Sequence, residues 1–490
     1  MAVFKIHEKD NVAVAVSPVS KGETITVGNT TLTVLDDIPA GHKLAVVPIA
    51  KGQDVVKYGF PIGTAKEDIP AGAWVHTHNV QSKLGDLLHY TYEPEKADRR
   101  ELTTDKTYEF LGYKRPDGTA GIRNEVWIIP TVGCVNGIAR AIEEASQQFK
   151  TERIDGIYAY SHPHGCSQLG GDQTHTQKIL SGLVHNPNAG AVLVLSLGCE
   201  NNQVDLMKEV IGEYDPDRVK FLVCQDVEDE IAAGTAIVKE LCAYADQFYR
   251  QPCDASLLTI GLKCGGSDGF SGITANPLVG EISNRLIAAG GTSILTEVPE
   301  MFGAETLLMN RARNEEVFDK TVSLINDFKE YFMSYGEKVN ENPSPGNKAG
   351  GITTLEDKSL GCVQKGGRAI VEDVLSYGDR AVKKGLNLLQ APGNDLVASN
   401  ALAAAGAHMV LFTTGRGTPF ACPVPTIKIS SNSKLAGFKT NWIDFNAGTI
   451  AEGEAKDSIA DRFFPVHPRR RLRQDPRQVG KTGQARIGYL

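Results

Sequence analysis

The sequence contains no run of about 18 apolar residues, so no membrane-crossing helix is expected. It lacks a GxxxxGK[ST] loop and an HExxH pair, and no GxGxxG opens its first strand–helix junction, which takes weight from nucleotide-dependent chemistry. None of the nine cysteines forms a CxxC pair, which disfavours a classical zinc ribbon. Met1–Val14 has neither the apolar stretch nor the small-residue cleavage site of a leader. An odd number of cysteines without such a leader reads as reduced thiols in a cytoplasmic protein. Aromatics are few at 7%, but 41% hydrophobic residues with 50 glycines and 23 prolines is ordinary globular composition; it excludes collagen-like, coiled-coil and disordered chains. Outside the C-terminus acidic residues outnumber basic ones. Residues 462–490 carry seven arginines and Lys481 against Asp475, so of the net −8 the remaining residues 1–461 hold −15. A body that acidic repels phosphate, and no nucleic-acid partner is expected; the basic run 462–490 reads as a solvated tail.

What is present divides by grammar. At about 150 residues per domain the length suggests three domains. Over residues 1–95, short β-like runs alternate with Gly and Pro turns, and a unit repeats: Asp37-Ile-Pro-Ala-Gly41 recurs as Asp68-Ile-Pro-Ala-Gly72, and Lys21-Gly22 as Lys51-Gly52. This predicts a small all-β domain of paired hairpins, followed by a charged linker over 96–115. From residue 116, apolar runs such as Val126–Val132, Ala191–Leu195 and Val219–Val223 alternate with amphipathic stretches, the pattern of parallel sheets covered on both faces. Two Rossmann-like parallel α/β domains are expected, over 116–252 and 253–461. The expectation includes a helix over Asn136–Phe149, a long helix over 303–335, and Gly/Pro-rich turns through much of 339–370.

In open parallel sheets ligands bind beyond the carboxyl ends of the strands. Four strand ends carry cysteine beside glycine: Val132-Gly-Cys134, His164-Gly-Cys166, Leu197-Gly-Cys199 and Lys263-Cys264-Gly265. Glycine permits close backbone approach, and cysteine there is a metal ligand or a small core filler. Cys134, Cys166 and Cys199 together form one candidate metal set. The other is His76 and His78, two apart in Trp74–Asn79; on a strand they project to one side, and imidazoles suit iron, zinc and, less well, manganese. His42 follows the other copy of the repeated unit, so pseudo-symmetry brings it toward them. Arg123 with Asn124 in Gly118–Asn124, and Arg416 in Thr413–Pro419, place guanidinium groups in glycine-rich loops where they can grip a carboxylate bidentately or bind loop carbonyls. Asn347 lies in the polar turn 342–351, and Glu297 and Glu300 are carboxylates beyond a strand.

The segments TVGCVNGIAR, HGCSQLG, GAVLVLSLGCENNQ, LKCGGSDGFSGITANP, TEVPEMFGAE, NPSPGNKAGGITTLEDKSLGC and TTGRGTP, in this order over roughly residues 1–450, resemble the altronate/galactarate dehydratase family. The N-terminal β segment resembles that family's SAF domain, a β-clip-like unit. The resemblance implies a hydro-lyase that removes water from a sugar acid, D-altronate giving 2-dehydro-3-deoxy-D-gluconate, with Fe2+ as cofactor and Mn2+ as a support. Galactarate, a related hydroxy acid, and a non-catalytic sugar-acid-binding regulator are the alternatives. Such chemistry needs a base for the C2 proton, an acid for the departing C3 hydroxyl and a metal to stabilise the developing enediolate. His162, His164 and Lys263 are the acid and base candidates. Arg123, Asn124, Asn347 and Arg416 are the substrate-binding candidates, and the metal falls to His76 and His78 or to the three cysteines. Converging thiolates would suit an iron–sulfur cluster better than manganese. The expected partners are the small sugar acid and further copies of the chain, with no membrane and no nucleic acid.

Overall fold

The structure, a computed structural model, describes residues 3–85 and 87–463; the expected basic tail lies outside the described residues from 464 onward. Strands Val3–Phe4, Val12–Ala15, Lys43–Ala45 and Trp74–Val75 form an antiparallel sheet in that order. Beside it stand a hairpin of Thr24–Val27 with Thr30–Thr33 and a three-stranded sheet of Asp54–Lys57, Phe60–Ala65 and Val80–Gln81. The internal repeat is built as two equivalent corners. Asp37 accepts the Lys21 amide at 2.9 Å, and Asp68 accepts the Lys51 amide at 2.7 Å. Val19 bridges Ile38 as Ile49 bridges Ile69.

Part of the expected linker is ordered as strand. Glu109–Lys114 pairs with Gln251–Asp254 and with Ala120–Gly121. The first α/β unit holds four parallel strands in the order Gly156–Ala159, Glu125–Pro130, Ala189–Ser196, Val219–Val223. Every residue of Glu125–Pro130 and Ala189–Ser196 is buried, as strands covered on both faces must be. The second unit has seven parallel strands: Val371–Leu375, Gly385–Leu389, Thr292–Leu295, Thr259–Cys264, Met409–Thr414, Thr426–Ser430 and Phe445–Asn446. In both sheets the chain begins in an inner strand and later crosses to its other side. The strand order therefore reverses between Glu125–Pro130 and Ala189–Ser196, and again between Thr259–Cys264 and Met409–Thr414, and at such switch points ligands bind beyond the carboxyl ends.

Two expectations change. The helix expected over 303–335 is two, Glu305–Met309 and Glu315–Ser334, because Asn314 turns its side chain onto the Val317 amide and restarts the helix as an N-cap. The stretch 339–370 is not mainly turns: Pro345–Ala349 and Leu355–Cys362 are helices, capped by Ser344 and Thr354. Ser344-Pro345 and Thr354-x-x-Asp357 are local start signals that outweigh the glycines around them. The β-rich domain packs on the second unit through a shared core that includes Val55, Ile62, Phe302 and Leu355.

Candidate functional site

The β-rich domain closes over the crevice of the seven-stranded sheet. Its Gly41 carbonyl lies against Gly269 so closely that a Cβ there would stand 1.9 Å from the oxygen. Beneath is a small pocket, with room for about one water, whose lining includes Lys57, Tyr58, Asp268, Ser271, Lys358 and Cys362. Tyr58 holds φ at +62°, a left-handed conformation uncommon for a bulky residue, and strain of this kind persists where the surroundings over-determine it. Its hydroxyl abuts Gly272, where a Cβ would lie 2.2 Å away. Ser267 Oγ, also at the pocket, is buried without a hydrogen-bond partner. Gly265–Gly269 has the G-x-S-x-G spacing of a nucleophile elbow, but no imidazole bonds this serine, so the triad logic is missing.

Around the pocket lies an unusual density of buried charge. Asp357 receives Lys43 and Lys57, both at 2.9 Å, and joins the β-rich domain to the Leu355–Cys362 helix. Lys263 pairs with Glu297 and, at 2.9 Å, with Asp395. Lys365 reaches Glu297 at 3.0 Å and Cys264 Sγ at 2.9 Å, and Lys358 reaches Glu300 at 2.8 Å. Burial works against each ammonium, but facing carboxylates override it for Lys57, Lys263 and Lys358, which stay protonated above the ordinary lysine range. Lys43 shares its one carboxylate with Lys57, and burial pulls it down to about 8. Glu300 resists burial because Lys358, Lys365 and Lys263 surround it, and it stays far below the usual carboxylate range.

Glu300 also accepts the thiols of Cys264 at 3.0 Å and Cys362 at 3.2 Å, whose sulfurs lie 3.5 Å apart. Among the described residues this is the trio of ligand atoms that lie within 4.8 Å of one another, and two sulfurs with a carboxylate are compatible with a metal. Lys365 and Lys358 already stand on these donors, so an entering cation would meet positive charge.

Of the residues singled out in the sequence, Lys263, Cys264, Glu297 and Glu300 lie in this cluster. Asn347 sits beside it, donating to the Ser267 carbonyl at 2.8 Å. Arg416 is exposed on the bordering loop, its amide bonded to Gly266. His76 is buried against Thr353 Oγ1 at 3.1 Å, and its ring lies 5.0 Å from that of His42, as the repeat implied. Burial, then Lys43 and His42, bring His76 down to about 4, so it is neutral. The expected pairing of His76 with His78 on one strand face does not form. The strand ends at Val75, and 76–79 turn back through Asn79 and Val80 amides onto the His76 carbonyl, leaving His78 exposed.

Arg123 and Asn124 are set apart from both crevices, at the amino edge of the four-stranded sheet. Arg123 binds Glu125 at 2.9 Å and faces Asp155, while Asn124 bonds Arg115, Arg153 and Ala245. His162, His164, Cys134, Cys166 and Cys199 lie at the carboxyl edge of that same sheet. His162 Nε2 is 2.7 Å from the Pro130 carbonyl, and burial holds it down to about 4. Sequence reasoning missed Lys43, Lys57, Tyr58, Asp357, Lys358 and Lys365. One signal was available: Leu355–Cys362 carries Glu356, Asp357 and Lys358 but stands fully buried, and charge buried in a helix needs partners from elsewhere.

Fold and site together define a multidomain α/β protein in which a β-rich unit completes a charged pocket on a parallel sheet. The family profile described as "Altronate/galactarate dehydratase SAF domain" matches residues 1–83, "D-galactarate dehydratase/Altronate hydrolase, second domain" matches 112–246, and "D-galactarate/Altronate dehydratase, C-terminal" matches 255–467. The chain is 53% identical to the altronate dehydratase of Escherichia coli over 95% of its own length and 94% of the relative's. It is likewise 53% identical to that of Bacillus subtilis, over 94% and 93%. With the Escherichia coli galactarate dehydratase (L-threo-forming) it shares 33% over 92% and 89%. The chain belongs to the galactarate/altronate dehydratase family.

Proposed function

We propose that the protein is a hydro-lyase that dehydrates D-altronate to 2-dehydro-3-deoxy-D-gluconate. The observation that carries this is the 53% identity to two altronate dehydratases across nearly the whole of both chains, against 33% to a galactarate dehydratase. The residues that line the pocket have the chemistry a polyhydroxylated anion requires. Lys57 and Lys358 offer ammonium groups to the carboxylate, and the unpartnered Ser267 hydroxyl with Ser271 and Asp268 meets hydroxyls. Tyr58 stands where a phenol can protonate a departing hydroxyl. Lys263, ion-paired and charged, acts through its field rather than as the base. We read each parallel sheet, with its switch-point crevice, as a Rossmann-like domain. The family resemblance implies iron with manganese as a support, and sulfur donors favour iron. When bound, such a metal supplies Lewis-acid stabilisation of the deprotonated acid.

The test is formation of a 2-keto acid from altronate and from galactarate, measured anaerobically with and without ferrous iron. Turnover of altronate well above galactarate is expected. Stoichiometric binding of altronate without product would make the protein a binder and sink the proposal.

A further inference from the structure

Six of the nine cysteines are buried and three are exposed, and the exposed three are Cys134, Cys166 and Cys199. Each lies on the loop leaving one of three adjacent parallel strands, Glu125–Pro130, Gly156–Ala159 and Ala189–Ser196, at the carboxyl edge of the four-stranded sheet. Unpaired cysteine is ordinarily a small buried hydrophobe. Three thiols left in water at a single sheet edge, on the loops that frame a switch point, call for another reason.

The loops are also fastened to one another. Gly133 donates to the His164 carbonyl at 2.8 Å, which ties the neighbour of Cys134 to the Cys166 loop. Asn202 donates its amide to the Gly165 carbonyl at 3.1 Å, and Asn201 Oδ1 accepts the Ser167 amide at 2.8 Å, which ties the Cys166 loop to the Cys199 loop. Asn202 Nδ2 closes the ring onto the Thr131 carbonyl at 3.0 Å. Glu200, next to Cys199, is buried and wholly occupied: it accepts the Thr131 and Ser196 hydroxyls at 2.5 and 2.6 Å and the Leu197 and Gly198 amides. It braces the loops. The backbone is held in demanding shapes, with Ser167 at φ +56° and Gly165 at φ +102°, where a Cβ would lie 2.0 Å from the Thr131 carbonyl. The recorded side-chain partners of these sulfurs, Ser167 and Gln225, are neutral. Among the described residues no ammonium bonds them, in contrast to Cys264.

We propose that Cys134, Cys166 and Cys199 hold an iron–sulfur cluster. The three sulfurs do not form a trio within the 4.8 Å span that marks a single-ion site. A multi-iron cluster spans more space and is bound by cysteine thiolates, each thiol giving up its proton on binding. Three protein ligands would leave one iron of a four-iron cluster without a protein ligand, and that iron would supply Lewis-acid chemistry. That last role rests on the hydro-lyase reading; the site itself does not.

The experiment reconstitutes the full chain anaerobically with ferrous iron and sulfide, then counts iron and acid-labile sulfide per chain and records visible charge-transfer absorption. Wild type and each of C134S, C166S, C199S and C264S are compared, with the melting temperature as a control for folding. About four irons and four sulfides are expected in wild type. A fall of about tenfold in both is expected in each of the first three variants at unchanged melting temperature, with no fall in C264S. Iron bound without sulfide, retention of the cluster in the three exposed variants, or its loss in C264S instead would overturn the proposal. A cluster present in a chain that leaves altronate untouched would uphold this site and refute the function proposed above.

Discussion

Replacing Asp357 with Asn tests what joins the β-rich domain to the rest of the molecule. The carboxylate is 1% exposed and accepts Lys43 and Lys57 at 2.9 Å each and the Thr353 amide at 3.0 Å. Removing its charge leaves two ammonium groups buried with no anion beside them. Breaking a buried pair in this way costs about 3–5 kcal/mol, whereas replacing every charged partner by apolar groups of similar volume is nearly neutral. D357N is therefore expected to lower the local opening free energy of buried amides such as Val55 and Ile62 by about 3–5 kcal/mol, read by native-state hydrogen exchange. The combination K43M/K57M/D357L is expected to recover most of that loss. The reasoning is refuted if D357N lies within about 1 kcal/mol of wild type, or if the triple variant is worse than the single.

Gly269→Ala should loosen the same interface, because its methyl would meet the Gly41 carbonyl at 1.9 Å; a cost of about 1–3 kcal/mol by chemical denaturation and lower turnover are expected. Tyr58→Phe should lower kcat about 100-fold with KM little changed if the phenol transfers a proton; an unchanged kcat in steady-state kinetics would remove it from the mechanism. His408 is buried and satisfied as the neutral ring, accepting the Thr259 amide at 3.0 Å and lying 2.8 Å from the Ala120 carbonyl, and burial lowers it to about 4. Its unfolded form binds a proton near 6.5, so its contribution is complete above that pH and is lost as pH falls toward 4. The loss is about 1.4 kcal/mol per unit, a slope that His408→Gln should flatten in urea titrations at pH 7, 6 and 5.

Much of the architecture was legible from local pattern. Alternating β-like runs and the doubled Asp-Ile-Pro-Ala-Gly unit marked a β domain, and the capping aspartates at both corners show why the repeat recurs. Continuous apolar runs marked the strands of both parallel sheets, since burial on two faces leaves no polar alternation to read. The split at Asn314 and the helices after Ser344 and Thr354 were written in side-chain caps, signals weaker than the glycines and prolines beside them.

The candidate site was legible only in part, for a physical reason. A sequence reports which residues lie at strand ends, and so it pointed to Lys263, Asn347, Arg416 and the Gly-Cys loops. It does not report which distant segments meet. His76 and His78 do not share a strand face because the strand stops at Val75 and 76–79 turn, and Arg123 went to the opposite sheet edge to neutralise Glu125. Patterning and composition alone settled that this chain builds a β domain and parallel α/β sheets, because burial period and turn chemistry are local properties. Only the tertiary structure decided that Lys57 and Tyr58 would cross from one domain to complete a pocket in another, with Lys43 beside them on Asp357. Buried charges are tolerated only beside opposite charges, and those partners stand some 300 residues away along the chain.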